Sequence, residues 1–159
     1  MYKVLIRPLE IADAEVSWRW RNNPEIWKFT GSKPSREITY QIERDWIEKI
    51  IKDDTTKRFA ILVDDVYVGN IQLTDIVQNK FAEYHIFIGD TNYWNKGIAR
   101  LASLQLIQYA RNVLKLKKLV LHVNPNHVNA IKLYHQLNFV IISDEIKMEL
   151  DLEKSIEPL

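Results

Sequence analysis

The chain has 159 residues, 47% hydrophobic and 27% charged, with four glycines and five prolines; this length suits one domain over residues 1–159, and the balance excludes a disordered or fibrous chain. A formal net charge of +1 provides no global field for nucleic acid or an anionic membrane, so an anionic ligand must be held by a local site. The absence of cysteine excludes a disulfide framework, a thiolate nucleophile and thiolate zinc sites, and fits a cytoplasmic protein.

The first residues, Met1 to Arg7, are too soon interrupted for a signal peptide, and no apolar run approaches the roughly 20 residues of a membrane helix. Val4 to Arg7 reads as a strand. Asp13 is placed to cap a helix carrying Ala14, Val16, Trp18 and Trp20, which Asn22-Asn23-Pro24 breaks. Ile38, Ile42, Trp46 and Ile50 follow helical spacing and predict a helix over Arg36 to Ile51. The period then changes: Arg58 to Val63 and Tyr67 to Thr74 form a hairpin around Asp64-Asp65, and Phe81 to Ile88 adds a third strand to an antiparallel meander. After Gly97 one apolar stripe runs through Ile98, Leu101, Ala102, Leu106, Tyr109, Ala110 and Val113, with Ser103 off it. A strand over Leu119 to Val123, a helix over Val128 to Leu137 and strands over Phe139 to Ile142 and Lys147 to Leu152 complete the order β-α-α-β-β-β-α-β-α-β-β. This is a mixed α/β domain around a mostly antiparallel sheet.

The segment from Tyr84 to Arg111 carries the strongest chemical signal. A strand ends at Ile88-Gly89, a polar loop follows, and Gly97 stands where a helix begins. The first amides of a helix lack internal partners and carry partial positive charge, so a glycine there makes either a pyrophosphate cradle or a plain helix cap. Lys96 and Arg100 stand ready to add charge.

Downstream, Asn126 to Phe139 supplies the pieces that decide. Gly97 and Ala99 match the phosphate loop of the GNAT acetyltransferases, and Ala130, Tyr134 and Phe139 match that superfamily's later segment. Ile6-Arg7-Pro8-Leu9, Trp20-Arg21-Asn22-Asn23-Pro24, Gly69-Asn70-Ile71 and Ala82-Glu83-Tyr84 resemble the branch holding ribosomal-protein N-terminal, spermidine and amino-sugar acetyltransferases. Four positions depart from the pattern. Trp94 stands where Gln or Arg is usual, Asn95 where Gly is frequent, and His127 and Asn138 replace Asn and Gly. Asparagine enters the left-handed region readily, so Asn138 is tolerable; His127 either replaces an amide contact or caps a helix.

The resemblance implies a GNAT-like three-layer domain with a splayed sheet, acetyl-CoA as donor, and direct attack by a primary amine in a ternary complex. It assigns the cofactor to the backbone of Ile86, Phe87 and Ile88, to Trp94, Asn95, Lys96, Gly97, Ile98, Ala99 and Arg100, and to His127, Asn129 and Tyr134. The amine must lose a proton and the thiolate must gain one. Tyr134 is the expected proton donor, although it also belongs to a core stripe with Ala130, Leu133 and Leu137. Glu83 is the leading acceptor and His85 the second; alternation puts both, with Phe87, on one face of their strand.

Arg21, Asn22, Lys28 and Glu83 are the candidate substrate contacts, with Arg21 and Lys28 either meeting a nucleotide diphosphate or serving as surface charges. The expected partner is a small-molecule amine, an amino-sugar nucleotide or a polyamine. Nucleic acid and membrane are not expected, and the assembly is a monomer or homodimer. The alternatives are acetylation of a protein N-terminus and a non-catalytic acetyl-CoA-binding module. Four scattered histidines show no metal-ligand spacing, no Gly-x-Ser-x-Gly supports a serine nucleophile, and His122 and His135 read as structural or solvent-facing. The tryptophans at 18, 20, 27 and 46 read as core packing or a substrate wall rather than base-stacking platforms.

Overall fold

The computed structural model describes residues 1–28, 34–143 and 146–154. Its strands are β1 (Val4–Pro8), β2 (Lys57–Val63), β3 (Val66–Val77), β4 (Phe81–Ile88), β5 (Lys118–His122), β6 (Val140–Ile141) and β7 (Lys147–Asp151). The helices are α1 (Ala14–Arg21), α2 (Pro24–Trp27), α3 (Tyr40–Ile50), α4 (Ile98–Asn112) and α5 (Val128–Gln136). The strands form one sheet in the order β1-β2-β3-β4-β5-β7-β6, antiparallel throughout except for the β4–β5 pair. This is the mixed, mostly antiparallel α/β fold read from the sequence.

The β2–β3 hairpin follows from its turn. Asp64 and Asp65 both take positive φ, 47° and 68°, between the paired Val63 and Val66. Two left-handed residues in a two-residue loop match the right-handed twist of the strands, and aspartate tolerates that region.

Alternation along β2 sends Ile61 and Val63 to one face and Ala60 to the other. The first face packs on α4 and α5 in the larger core, with Ile71, Leu106, Leu121 and Met148 fully enclosed. Each such side chain contributes about 1.5–3 kcal/mol of burial. The second face packs on α1 and α3 through Leu9, Ala14 and Ile47. The layers are therefore helices, sheet, helices.

Four local readings change. Pro24 opens a helix as well as closing one: Asn23 accepts from the Glu25 amide at 3.0 Å, and the proline sits where no N–H is required. The next helix begins at Tyr40, not Arg36, because Asn22 holds Ile38 by both ends. Its Oδ1 accepts from the Ile38 amide at 2.8 Å, and its Nδ2 donates to the Ile38 carbonyl at 2.7 Å. Thr39 then caps α3 through the Ile42 amide. Ser103 is fully buried in spite of its polarity, because its hydroxyl bonds the Ala99 carbonyl at 2.6 Å and meets the Tyr84 hydroxyl.

Asp13 precedes α1 without capping it. Its carboxylate takes both Arg7 terminal nitrogens, at 2.7 and 2.8 Å, and the Glu10 amide at 2.8 Å. Asp13 is 6% exposed whereas Arg7 keeps some solvent contact. Removal of the carboxylate leaves donors partly orphaned. Asp13→Ala is expected to lower stability by about 2 kcal/mol in urea denaturation, while Asp45→Ala, on an exposed face, changes it by less than about 0.5.

Candidate active site

β4 and β5 pair only at their first three positions, Phe81 with Lys118, Ala82 with Leu119 and Glu83 with Val120. Beyond Glu83 they part, while β4 continues against β3 up to Ile88. The register shift next to this point lies in β3, between Thr74 and Val77, where Asp75 takes φ 49°. A cleft of about 940 Å³ fills the gap. Its walls are Glu83 to Ile88 of β4, the loop and first turn of α4, residues 122 to 125 after the divergence, and one side of α5.

Alternation along β4 divides its side chains as expected. Tyr84, Ile86 and Ile88 pack on the larger core, and Phe87 meets Trp20 and Trp27 from the opposite layer. Trp20 also lies flat over Gly89, where any Cβ would overlap the indole. The tryptophans of this region are thus packing elements, and Trp46 stacks between the guanidinium groups of Arg21 and Arg58.

The loop to α4 is shaped by backbone conformations few residues accept. Trp94 anchors it to the strand end, its Nε1 donating to the Ile88 carbonyl at 2.8 Å. Asn95 has φ 60° and Gly97 has φ 78°. The glycine frequent at position 95 and the asparagine found there solve the same left-handed requirement. Gly97 is the N-cap of the 15-residue α4, and no side chain caps the helix there. A Cβ built on Gly97 meets nothing within 4 Å. The space beside the start of α4 is therefore open and its first amides lack a side-chain cap, with Lys96 and Arg100 alongside in the cleft wall, which fits a pyrophosphate.

Tyr134 lines the cleft from α5 and is held by the way α5 stops. The Asn138 amide bonds the His135 carbonyl at 3.0 Å and the Phe139 amide bonds the Tyr134 carbonyl at 3.0 Å. Asn138 itself has φ 71°, so this is a left-handed helix stop with asparagine in the glycine position. Phe139 then packs on the Tyr134 ring at 5.9 Å between centroids, and Tyr84 meets it edge-on. Burial pushes the phenol up to about 12, so it stays protonated at neutral pH. The core-stripe and cleft readings of Tyr134 are both true: the ring is buried and the residue lines the cleft.

Glu83 and His85 share the cleft wall below the divergence. Glu83 Oε1 is 3.2 Å from His122 Nδ1 and 3.7 Å from His85 Nε2, and His85 Nε2 also meets the Thr74 hydroxyl at 2.9 Å. Burial holds the His85 imidazole below its ordinary value, against the opposing pull of Glu83. His127 is likewise lowered by burial; it occupies the N-cap position of α5 but makes no capping hydrogen bond from its side chain.

Lys28, His127 and Asn129 also line the cleft, but Arg21 and Asn22 do not. Arg21 pairs with the buried Glu43 at 3.0 Å, and Asn22 is engaged by Ile38. Both are better explained as scaffold than as substrate contacts. His122, read from the sequence as structural or solvent-facing, lies in the cleft against Glu83. Only the spatial meeting of β4 and β5 reveals this, because 39 residues separate the two side chains. Among the described residues no group of three or more His, Asp or Glu is arranged to hold a metal ion, and no helix is long and apolar enough to cross a membrane.

A parted parallel strand pair over a glycine-capped helix is matched by a known family model, the acetyltransferase (GNAT) domain, over residues 3–140. The chain belongs to the GNAT acetyltransferase family. Among its GNAT relatives, the spermidine N(1)-acetyltransferase of Escherichia coli K12 is 30% identical over 141 residues, 88% of this chain and 74% of that protein. Acetyltransferase PseH of Campylobacter jejuni is 26% identical over 137 residues, 86% and 83% of the two chains. The fold is shared with spermidine N-acetyltransferase from Vibrio cholerae, solved with CoA and spermine, at a TM-score of 0.84 and 23% identity over 95% and 96% of the chains. The chain is thus an N-acetyltransferase of the GNAT type, in the branch expected from its motifs.

The depressed His85 has a consequence for stability. The unfolded chain takes up this proton first as pH falls from about 6.5, so acidification favours unfolding until the folded imidazole also protonates. Urea denaturation is expected to show stability falling with pH across that window, and His85→Gln to flatten the slope.

Proposed function

We propose that this protein, a single acetyltransferase domain over residues 1–159, uses acetyl-CoA to acetylate a primary amine of a small molecule by direct attack in a ternary complex. The observation that carries this reading is the loss of β4–β5 pairing after Glu83, with the uncapped start of α4 and Tyr134 both lining the cleft that opens there. The V. cholerae neighbour was solved with CoA, and the cleft here, of about 940 Å³, carries Lys96 and Arg100 beside the start of α4 as partners for phosphates.

Bound acetyl-CoA supplies an activated acyl group as a thioester. The amides at the start of α4, with Lys96 and Arg100, hold the phosphates. The unpaired edge of β4 over Ile86, Phe87 and Ile88 offers backbone partners to an extended arm and polarises the acyl carbonyl. Trp94, Asn95, Ile98 and Ala99 shape the loop, and His127 and Asn129 line the opposite wall. Tyr134, neutral at working pH, donates the proton that the departing sulfur needs. Proton acceptance falls to the group around the Glu83 carboxylate, with His85 beside it.

The acceptor is taken to be an amino-sugar nucleotide or a polyamine, and spermidine is the amine named for one relative. Lys28 suits a phosphate and Glu25 an ammonium, and both line the cleft. A panel containing spermidine, amino-sugar nucleotides and a peptide with a free N-terminus is expected to show turnover only with a small amine. Turnover confined to the peptide would move the function to protein N-termini. CoA binding with no turnover of any amine would leave a binding module.

Tyr134→Phe is expected to lower kcat by about 10²-fold or more while CoA affinity stays unchanged. Gly97→Glu places a carboxylate where the phosphates are proposed to sit and should weaken CoA binding about tenfold or more in calorimetry. A folded Gly97→Glu variant with unaltered affinity would show that the cradle lies elsewhere.

A further inference from the structure

Where β4 and β5 part, a carboxylate and two imidazoles from different strands converge. Glu83 Oε1 reaches across the gap to His122 Nδ1, at 3.2 Å, and lies 3.7 Å from His85 Nε2 on its own strand. The two imidazoles are not equivalent. His85 Nε2 is engaged by the Thr74 hydroxyl at 2.9 Å. Among the described residues, His122 has its hydrogen-bond partner in Glu83 alone, through Nδ1.

An ionised carboxylate accepts and does not donate, so Nδ1 carries the proton of a neutral His122 ring and Nε2 keeps its lone pair. The His122 side chain is 55% exposed and Glu83 28%. Both side chains line the cleft, and the imidazole is the more exposed of the two. Imidazoles as a class also titrate closer to neutral pH than carboxylates, which suits a group that must take and release a proton in each cycle.

We infer that His122 Nε2 takes the proton from the acceptor's ammonium, and that Glu83 is the positioning residue that fixes the His122 tautomer and stabilises its charged form. The inference rests on the acetyl-transfer reading above. The ammonium gives one proton to Nε2 and becomes a neutral amine, and the imidazolium passes that proton to solvent through its exposed edge. As the C–N bond forms and the C–S bond breaks, the nitrogen's second proton leaves by the same route. The sulfur takes one proton from Tyr134, which is restored from solvent. Two protons leave the nitrogen and one goes to sulfur, so one is released per turnover.

Charged and titratable groups face His122 from several elements. Glu83 and His85 face it from β4, with Asp75 of β3 and Arg58 of β2 behind His85. Lys147 is its cross-strand partner on β7. Glu25, Lys28 and His127 also line the cleft, as do Lys96, Arg100 and the phenols of Tyr84, Tyr93 and Tyr134. Glu83 alone of these is within hydrogen-bond reach of His122.

Nitrogen-15 histidine spectra of the ligand-free protein test the arrangement without substrate. The expected result is a neutral His122 protonated on Nδ1, with that preference lost in Glu83→Gln; a ring protonated on Nε2 would overturn the assignment. In turnover, His122→Gln should lower kcat at neutral pH by about 10²-fold or more with KM for acetyl-CoA unchanged. The deficit should shrink about tenfold per pH unit as the amine's own pKa is approached, and added imidazole should restore rate to His122→Ala. Wild-type kcat and an unchanged acid limb in a folded His122→Gln would sink the inference. A wild-type protein that acetylates no amine would instead count against the acetyl-transfer reading, and the histidine spectrum then still decides how His122 is set.

Discussion

Backbone pairing between β4 and β5 stops at Glu83 and Val120, and most of the site is arranged by that interruption. A continuous sheet would fill the space with hydrogen bonds and leave no concavity. Once the strands diverge, one edge of β4 faces a cleft instead of a partner, and unpaired backbone groups in a concave site are ready to bind. The sheet tolerates this because β4 stays paired with β3 on its other side as far as Gly69 and Ile88. The fold also closes up again beyond the gap, through the antiparallel pairing of β5 with β7.

The same interruption determines which side chains meet. Tyr84 and Tyr134 stack across one face of β4 with Phe139, and Glu83, His85 and Phe87 occupy the other. The proposed proton donor and the proposed proton-accepting group are thereby presented from different elements around one gap. Their environments differ as the two roles require. Tyr134 is nearly enclosed and held neutral, whereas Glu83 and His122 keep contact with solvent. Rigidity comes from small local devices: the left-handed Asn138 stop that fixes Tyr134, the Trp94 indole that fastens the loop to Ile88, and Trp20 seated on Gly89.

Much of this was legible in the chain because its signals are local. Period-two and helical patterning located nearly every element, Asp64-Asp65 announced the hairpin, and Gly97 with Ala99, Tyr134 and Phe139 marked the family. What escaped depends on partners distant in sequence. Asn22 looked like a substrate contact because nothing local reveals that it holds Ile38. Arg21 looked like a phosphate contact or a surface charge because nothing local reveals its pairing with the buried Glu43, a helix away. Ser103 lay off the predicted stripe, and its burial depends on meeting a tyrosine hydroxyl from β4. His122 was overlooked for the same reason: its significance arises from the geometry of the gap, not from its neighbours in the chain.

The most direct test of this account is a crystal structure of the protein with CoA bound. The extended arm of the coenzyme should lie in the gap along β4 beyond Glu83, with the pyrophosphate at the first amides of α4 and the thiol beside Tyr134. A structure in which CoA binds elsewhere, while β4 and β5 pair continuously past Val120, would contradict it.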